Sequence, residues 1–221
     1  MKRGIQAVLF DLDGTLIDSA PDLAGAANAL RAQHGLAALP YEQLRPMVGA
    51  GARGMVGLAF GVSPGDSPFE ALRDAFLAQY ESALLVQTHV FADMLPVLEA
   101  LLAKGCPWGI VTNKNSRFAQ PVVAGLPDLE ASGVLICGDT TAHAKPHPEP
   151  LLEAARRLAV APSACVYVGD DLRDIEAGRA AGMRTVAAGW GYLGQGERIE
   201  DWGADFIASS PQQLLKWLEQ A

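Results

Sequence analysis

The chain has 221 residues, half of them hydrophobic, enough to bury one large core or a core with a smaller companion. Its 17 basic and 25 acidic residues leave a formal charge of −8 with no basic run, which argues against nucleic acid or an anionic membrane surface as partner. No apolar stretch approaches the ~18 residues of a membrane span, the run behind Lys2 and Arg3 is too short for a signal peptide, and Cys106, Cys137 and Cys165 lack metal-cluster spacing, so a cytoplasmic protein with reduced thiols is expected.

The first expected element is a strand, Ala7–Phe10, apolar throughout, which runs straight into Asp11-Leu12-Asp13-Gly14-Thr15. Two carboxylates one residue apart repel each other and resist desolvation, so something must compensate them. From about residue 17 to 87 the signals are helical, with no convincing strand. Ser67-Pro68-Phe69-Glu70 reads as a capping box with Pro at the first helical position, opening a helix that continues to residue 85. This insertion predicts a helical cap domain, 17–87, over a core made of 1–16 and 88–221. Within it, Gly49-Ala50-Gly51-Ala52-Arg53-Gly54 has the spacing of a dinucleotide-binding loop. The preceding segment contains Pro46 and is no strand, so that context is missing. A glycine-rich loop facing the core fits better, with Arg53 placed to hold an anionic substrate tail.

Beyond residue 93, strands and helices alternate. Strands are expected at 108–111, 134–137, 165–168, 185–188 and 206–207. Helices are expected at 94–104, with Asp93 as N-cap and Gly105 as stop, then at 148–160, 171–182 and 211–221, the last with Ser210 as N-cap and Pro211 at its first position. Such alternation predicts an α/β fold, a Rossmann-like parallel sheet with helices on both faces. Ligands of such sheets bind beyond the carboxyl ends of the strands. There the sequence places Asp11 and Asp13, then Thr112-Asn113-Lys114, then Lys145-Pro146, then Gly169-Asp170-Asp171 with Asp174. Five aspartates against Lys145 need a cation, and all-oxygen ligands select a hard one such as Mg2+, which also lets a phosphate dianion approach. His143 and His147 read as loop histidines, and Trp190-Gly191-Tyr192 as wall packing.

Taken together, DLDGT at 11–15, TN at 112–113, KP at 145–146 and GDDLRD at 169–174 resemble the four motifs of the haloacid dehalogenase-like phosphatase superfamily, and the resemblance spans the whole chain. It implies a Rossmann-like core with an inserted cap and an aspartyl-phosphate mechanism with Mg2+. By position, Asp11 would be the nucleophile and Asp13 the general acid, then base. Thr112 and Lys145 would hold phosphoryl oxygens, with Gly14, Asn113 and Arg53 as further phosphate or substrate contacts. Asp11, the Asp13 backbone carbonyl and Asp170 would hold the metal, supported by Asp171 and Asp174. Within the superfamily the chain resembles the phosphoglycolate phosphatase branch, whose substrates are small anionic phosphate esters. GARGMV, WGIVTNK, GDDLRDIEAG and WGAD are also similar to relatives that act on N-acetylmuramic acid 6-phosphate. Either 2-phosphoglycolate or that sugar acid is therefore the expected substrate, and the core motifs do not separate them. A phosphosugar mutase of the beta-phosphoglucomutase type would share the same core. A phospho-accepting signalling module would place its acid pair ahead of the phosphorylated aspartate and has no place for the insertion. Monomer and homodimer both remain open.

Overall fold

The computed structural model describes residues 4–194 and 196–220. The Lys2-Arg3 start, Gln195 and Ala221, which ends the last expected helix, lie outside the described residues. The strands are β1 (Ala7–Phe10), β2 (Ile17–Asp18), β3 (His89–Val90), β4 (Trp108–Val111), β5 (Leu135–Ile136), β6 (Cys165–Gly169), β7 (Arg184–Ala188) and β8 (Phe206–Ala208). The helices are α1 (Ala20–Gln33), α2 (Tyr41–Leu44), α3 (Gly51–Phe60), α4 (Phe69–Glu81), α5 (Leu95–Ala103), α6 (Ser116–Ala124), α7 (Glu149–Arg157), α8 (Leu172–Ala180) and α9 (Pro211–Glu219).

Every residue of β1 is buried, as a central strand of a doubly covered sheet requires. It pairs in parallel with β4 on one side and β6 on the other, in the sheet order β5-β4-β1-β6-β7-β8. Alternate residues serve opposite faces. Val8 and Phe10 join the layer containing Val97, Leu98 and Trp217, from α5 and α9. Ala7 and Leu9 join Leu151, Ala154 and Ala177, from α7 and α8. The Rossmann-like α/β core thus matches the expected one.

Helices α1 to α4 lie between β1 and β4 and have their own apolar cluster, including Leu30, Leu44, Met55 and Phe76. The chain enters and leaves this insertion through β2 and β3, paired antiparallel at Ile17↔Val90 and Asp18↔His89, strands too short to leave a period in the sequence. Asp22 in α1 ties the two crossings together: its carboxylate accepts from the backbone N–H of Gln87 (3.0 Å) and Thr88 (2.8 Å) and from the Thr88 hydroxyl (2.7 Å).

Three local expectations change. The capping box at Ser67 does not form; α4 starts after Pro68 with no side-chain cap. The turn is closed by Asp66 instead, whose carboxylate accepts from Ser63 N–H (2.6 Å) and whose carbonyl accepts from Phe69 N–H (3.0 Å). Asp93 is not an N-cap either. It lies in a 3-10 turn, Ala92–Met94, that leads into α5, where Pro96 removes one of the donors a cap would satisfy. Helix α6 was not expected, because Pro121 and two valines obscure its pattern, although its Asn115 N-cap accepts from Arg117 N–H at 3.0 Å. The Ser210 cap and Pro211 start of α9 are as expected.

Candidate active site

The sheet order sets β4, β1 and β6 side by side, so the residues after each strand meet at one edge. Asp11 N–H continues the ladder by donating to the Val168 carbonyl (2.9 Å), which places its side chain beside that of Asp170. Lys145 arrives from the long connection after β5. Its buried ammonium donates to Asp11 Oδ1 (2.8 Å), Asp174 Oδ1 (2.7 Å) and the Tyr167 hydroxyl (2.8 Å). Asn113 fixes that connection through a reciprocal pair: its Nδ2 donates to the Lys145 carbonyl, and Lys145 N–H donates to its Oδ1, both at 2.9 Å. The Asn113 carboxamide therefore positions the lysine. Thr112 is buried, and its hydroxyl oxygen accepts from Lys114 N–H (3.1 Å).

Asp13 is set apart from this clamp. Its Oδ1 accepts from Ser19 Oγ (2.5 Å) and from Lys114 Nζ (2.9 Å). Lys114, quoted within TNK yet assigned no role from sequence, is thus the counter-ion of Asp13. Burial works against the Lys114 charge, but Asp13 and Tyr80 outweigh it and hold its pKa above the ordinary lysine value.

Asp170 accepts from the Thr15 hydroxyl (2.9 Å) and from Tyr192 N–H (2.7 Å). Gly14 takes a positive φ of 86°, and a Cβ there would lie 2.3 Å from Asp170 Oδ2. Its N–H donates to the Ile17 carbonyl (2.9 Å), so what Gly14 brings to the site is a turn and room for Asp170. Wall packing understates Trp190-Gly191-Tyr192. Besides its bond to Asp170, Tyr192 accepts through its hydroxyl from Ser19 N–H (2.9 Å) and Ala20 N–H (3.0 Å) at the start of α1. Its aromatic side chain gave no sequence signal of that second task.

Asp171 and Asp174 form the capping box of α8. Asp171 also pairs with the Arg173 guanidinium at 2.7 Å, and Arg173 reaches across to the Gly49 carbonyl of the insertion. Despite partial burial, that pairing keeps the Asp171 carboxyl below its usual range.

Arg53, on α3, lines the same cavity as Asp11 and Asp13, is exposed, and makes no hydrogen bond or ion pair among the described residues. The cavity measures about 420 Å3, and Leu23, Phe76, Leu77 and Phe118 give its lining an apolar share. His143 and His147 lie outside it on an exposed loop, their rings stacked 4.2 Å apart, with Glu149 2.8 Å from His143 Nδ1.

Asp11, Asp170 and Asp174 each bring an oxygen within 4.8 Å of the others, and all three are buried. Burial pushes the Asp11 carboxyl up to about 7, with the Lys145 charge opposing and the Asp174 and Asp13 charges assisting. Burial, Asp11 and Asp174 push Asp170 well above the carboxylate range. So dense an all-oxygen set, driven toward protonation by burial and then by its own repulsion, fits a hard divalent cation. Asp174 already serves Lys145 and, at 3.1 Å, Asp171 N–H, which leaves Asp11 and Asp170 the better placed ligands.

Fold and site together define an α/β protein whose chemistry lies in an acidic centre at the carboxyl edge of its sheet. A model of the haloacid dehalogenase-like hydrolases matches residues 5–182. The N-acetylmuramic acid 6-phosphate phosphatase of Pseudomonas aeruginosa is 43% identical over 222 residues, covering 100% of this chain and 98% of that protein. A phosphoglycolate phosphatase of Xanthomonas campestris pv. campestris is 49% identical over 210 residues, 95% of this chain and 94% of that one. The crystal structure of a predicted phosphoglycolate phosphatase from Haemophilus somnus superimposes with a TM-score of 0.85 at 26% identity, over 98% of this chain and 99% of that one. The chain belongs to the haloacid dehalogenase-like hydrolase family.

Proposed function

We propose that the protein is a phosphomonoesterase working through an aspartyl-phosphate, with Asp11 as nucleophile and Asp13 as acid and then base. The observation that carries this reading is the division of labour between the two carboxylates: Lys145 binds Asp11, whereas Ser19 and Lys114 bind Asp13. An Asp11 oxygen attacks phosphorus, the bond to the leaving oxygen breaks, and Asp13 gives that oxygen its proton. Water then attacks the phosphorus, Asp13 takes a proton from it, and inorganic phosphate leaves with Asp11 restored. Lys145 and the Thr112 hydroxyl, which accepts from Lys114 and can still donate its own proton, hold phosphoryl oxygens. A Mg2+ ion on Asp11, Asp170 and the Asp13 carbonyl would neutralise the acids and the incoming phosphoryl charge. Asp171 and Asp174 support that set by fixing α8 and Lys145.

Residues 17–87 act as the cap that selects the substrate, and Arg53 supplies the cation for a carboxylate tail. A cavity of about 420 Å3 with a partly apolar lining exceeds what a two-carbon acid can fill. A sugar acid of the size of N-acetylmuramic acid 6-phosphate is the better match, as in the Pseudomonas relative, with 2-phosphoglycolate the second reading on the strength of the Xanthomonas one. Three buried, unpaired thiols suit the reducing cytoplasm. No described helix is long and apolar enough to cross a membrane.

The deciding experiment measures phosphate release from N-acetylmuramic acid 6-phosphate, 2-phosphoglycolate and hexose phosphates, with Mg2+ and with excess chelator. The highest kcat/KM is expected on the sugar acid, with no activity in chelator. Conversion of a hexose phosphate without phosphate release would point to a mutase, and full activity in chelator would refute the metal.

A further inference from the structure

Tyr80 occupies the last turn of α4 and lines the same cavity as Asp11 and Asp13. Tyr80 is 2% exposed, and its hydroxyl proton finds no acceptor among the described residues; the Lys114 ammonium beside it can only donate. Buried hydroxyls are nearly always bonded, because removing one from water without a partner is costly. The ring is not free to seek one. Phe118 packs against it with centroids 5.8 Å apart, and the Lys114 ammonium lies 4.8 Å from its centroid. The same ammonium bonds Asp13 at 2.9 Å, so Tyr80 stands on the side of Asp13 and away from the Lys145 clamp.

We infer that the Tyr80 hydroxyl is a substrate-reading group, a hydrogen-bond donor to an oxygen carried by the leaving alcohol of the phosphate ester. The inference rests on the phosphomonoesterase reading above and adds to it the class of ester accepted. The side of the cavity served by Asp13 receives the leaving group, because Asp13 protonates the leaving oxygen. A group fixed there meets the alcohol portion and leaves the phosphoryl oxygens to Lys145 and Thr112. Its preferred ester carries a hydroxyl, carbonyl or carboxylate oxygen near the ester bond. A simple aryl phosphate offers no such acceptor and leaves the hydroxyl as it is in the free enzyme. Selectivity arises because the cost of the unbonded hydroxyl proton is relieved by one kind of substrate only.

The test is Tyr80→Phe in the full chain with Mg2+, assayed on N-acetylmuramic acid 6-phosphate, 2-phosphoglycolate and p-nitrophenyl phosphate, with the thermal midpoint measured alongside. Expected is a loss of about tenfold in kcat/KM on the better of the two acids, corresponding to one hydrogen bond. Less than a twofold change is expected on p-nitrophenyl phosphate. The thermal midpoint should stay or rise, because Phe removes a buried donor without an acceptor. Equal losses on all three esters, or a lowered midpoint with no selectivity, would make the hydroxyl structural and overturn the inference. Wild-type protein that releases phosphate from none of the esters would instead overturn the phosphomonoesterase reading, and this inference with it.

Discussion

One buried ammonium governs the behaviour of the site. Lys145 joins Asp11 and Asp174, and without it three carboxylates would face each other away from water. Replacing Asp11 by Asn removes the proposed nucleophile and one of those charges. Turnover should fall by about three orders of magnitude or more, while the thermal midpoint of the metal-free protein stays or rises. Retained phosphate release would remove Asp11 from its role. Arg53 lines the same cavity, with no hydrogen bond or ion pair of its own among the described residues. Arg53→Ala should raise KM about tenfold for carboxylated substrates and hardly at all for p-nitrophenyl phosphate, as loss of a charge-assisted contact would. Parallel changes on both would place the guanidinium outside the substrate's reach.

Asp22 works between elements, gathering four donor contacts from Gln87 and Thr88 where the insertion leaves and re-enters the core. Asp22→Asn would set an amide N–H against backbone donors, at a cost of about 1–3 kcal/mol. Urea unfolding should show that loss, and an unchanged midpoint would deny the crossing its importance. Much of this architecture was legible beforehand. Three apolar strands end in, and a fourth is followed at a distance by, residues whose chemistry makes sense only together, and the long stretch without strands announced the insertion. Pairs made at long range left no local sign. Lys114 is one position beyond a recognised motif, but its partner Asp13 is 101 positions away. Ser19 and Tyr192 are equally ordinary residues until the fold joins them. The two-residue strands β2 and β3 fall below the length at which alternation can be read, and Ser67 lost its cap to a turn closed one residue earlier.

For the molecule as a whole, the acidic centre makes stability and metal interdependent. Asp11 has an ordinary value of 3.8 and a folded value of about 7, so between those limits the folded state keeps a proton that the unfolded chain has lost. Its contribution is therefore complete at low pH and disappears as the pH rises through about 7; Asp170 acts in the same direction. Asp139, Glu149 and Asp171 have lowered values, so they finish titrating below this window and do not oppose it there. In chelator, the thermal midpoint should fall from about pH 5 to 7.5, and added Mg2+ should restore most at the upper end. A flat profile would contradict the buried acid cluster. The contacts that complete the centre also join distant parts of the chain: Lys145 to Asp11 across 134 positions, Asp170 to Thr15 across 155, and Tyr192 to Ser19 across 173. During synthesis, Asp11 and Asp13 leave the ribosome early, as an ordinary hydrated acidic turn. Tyr192, which bonds both Asp170 and Ser19, follows them out 173 positions after Ser19. A chain halted before that tyrosine therefore lacks the last contacts of the centre and is expected to release no phosphate.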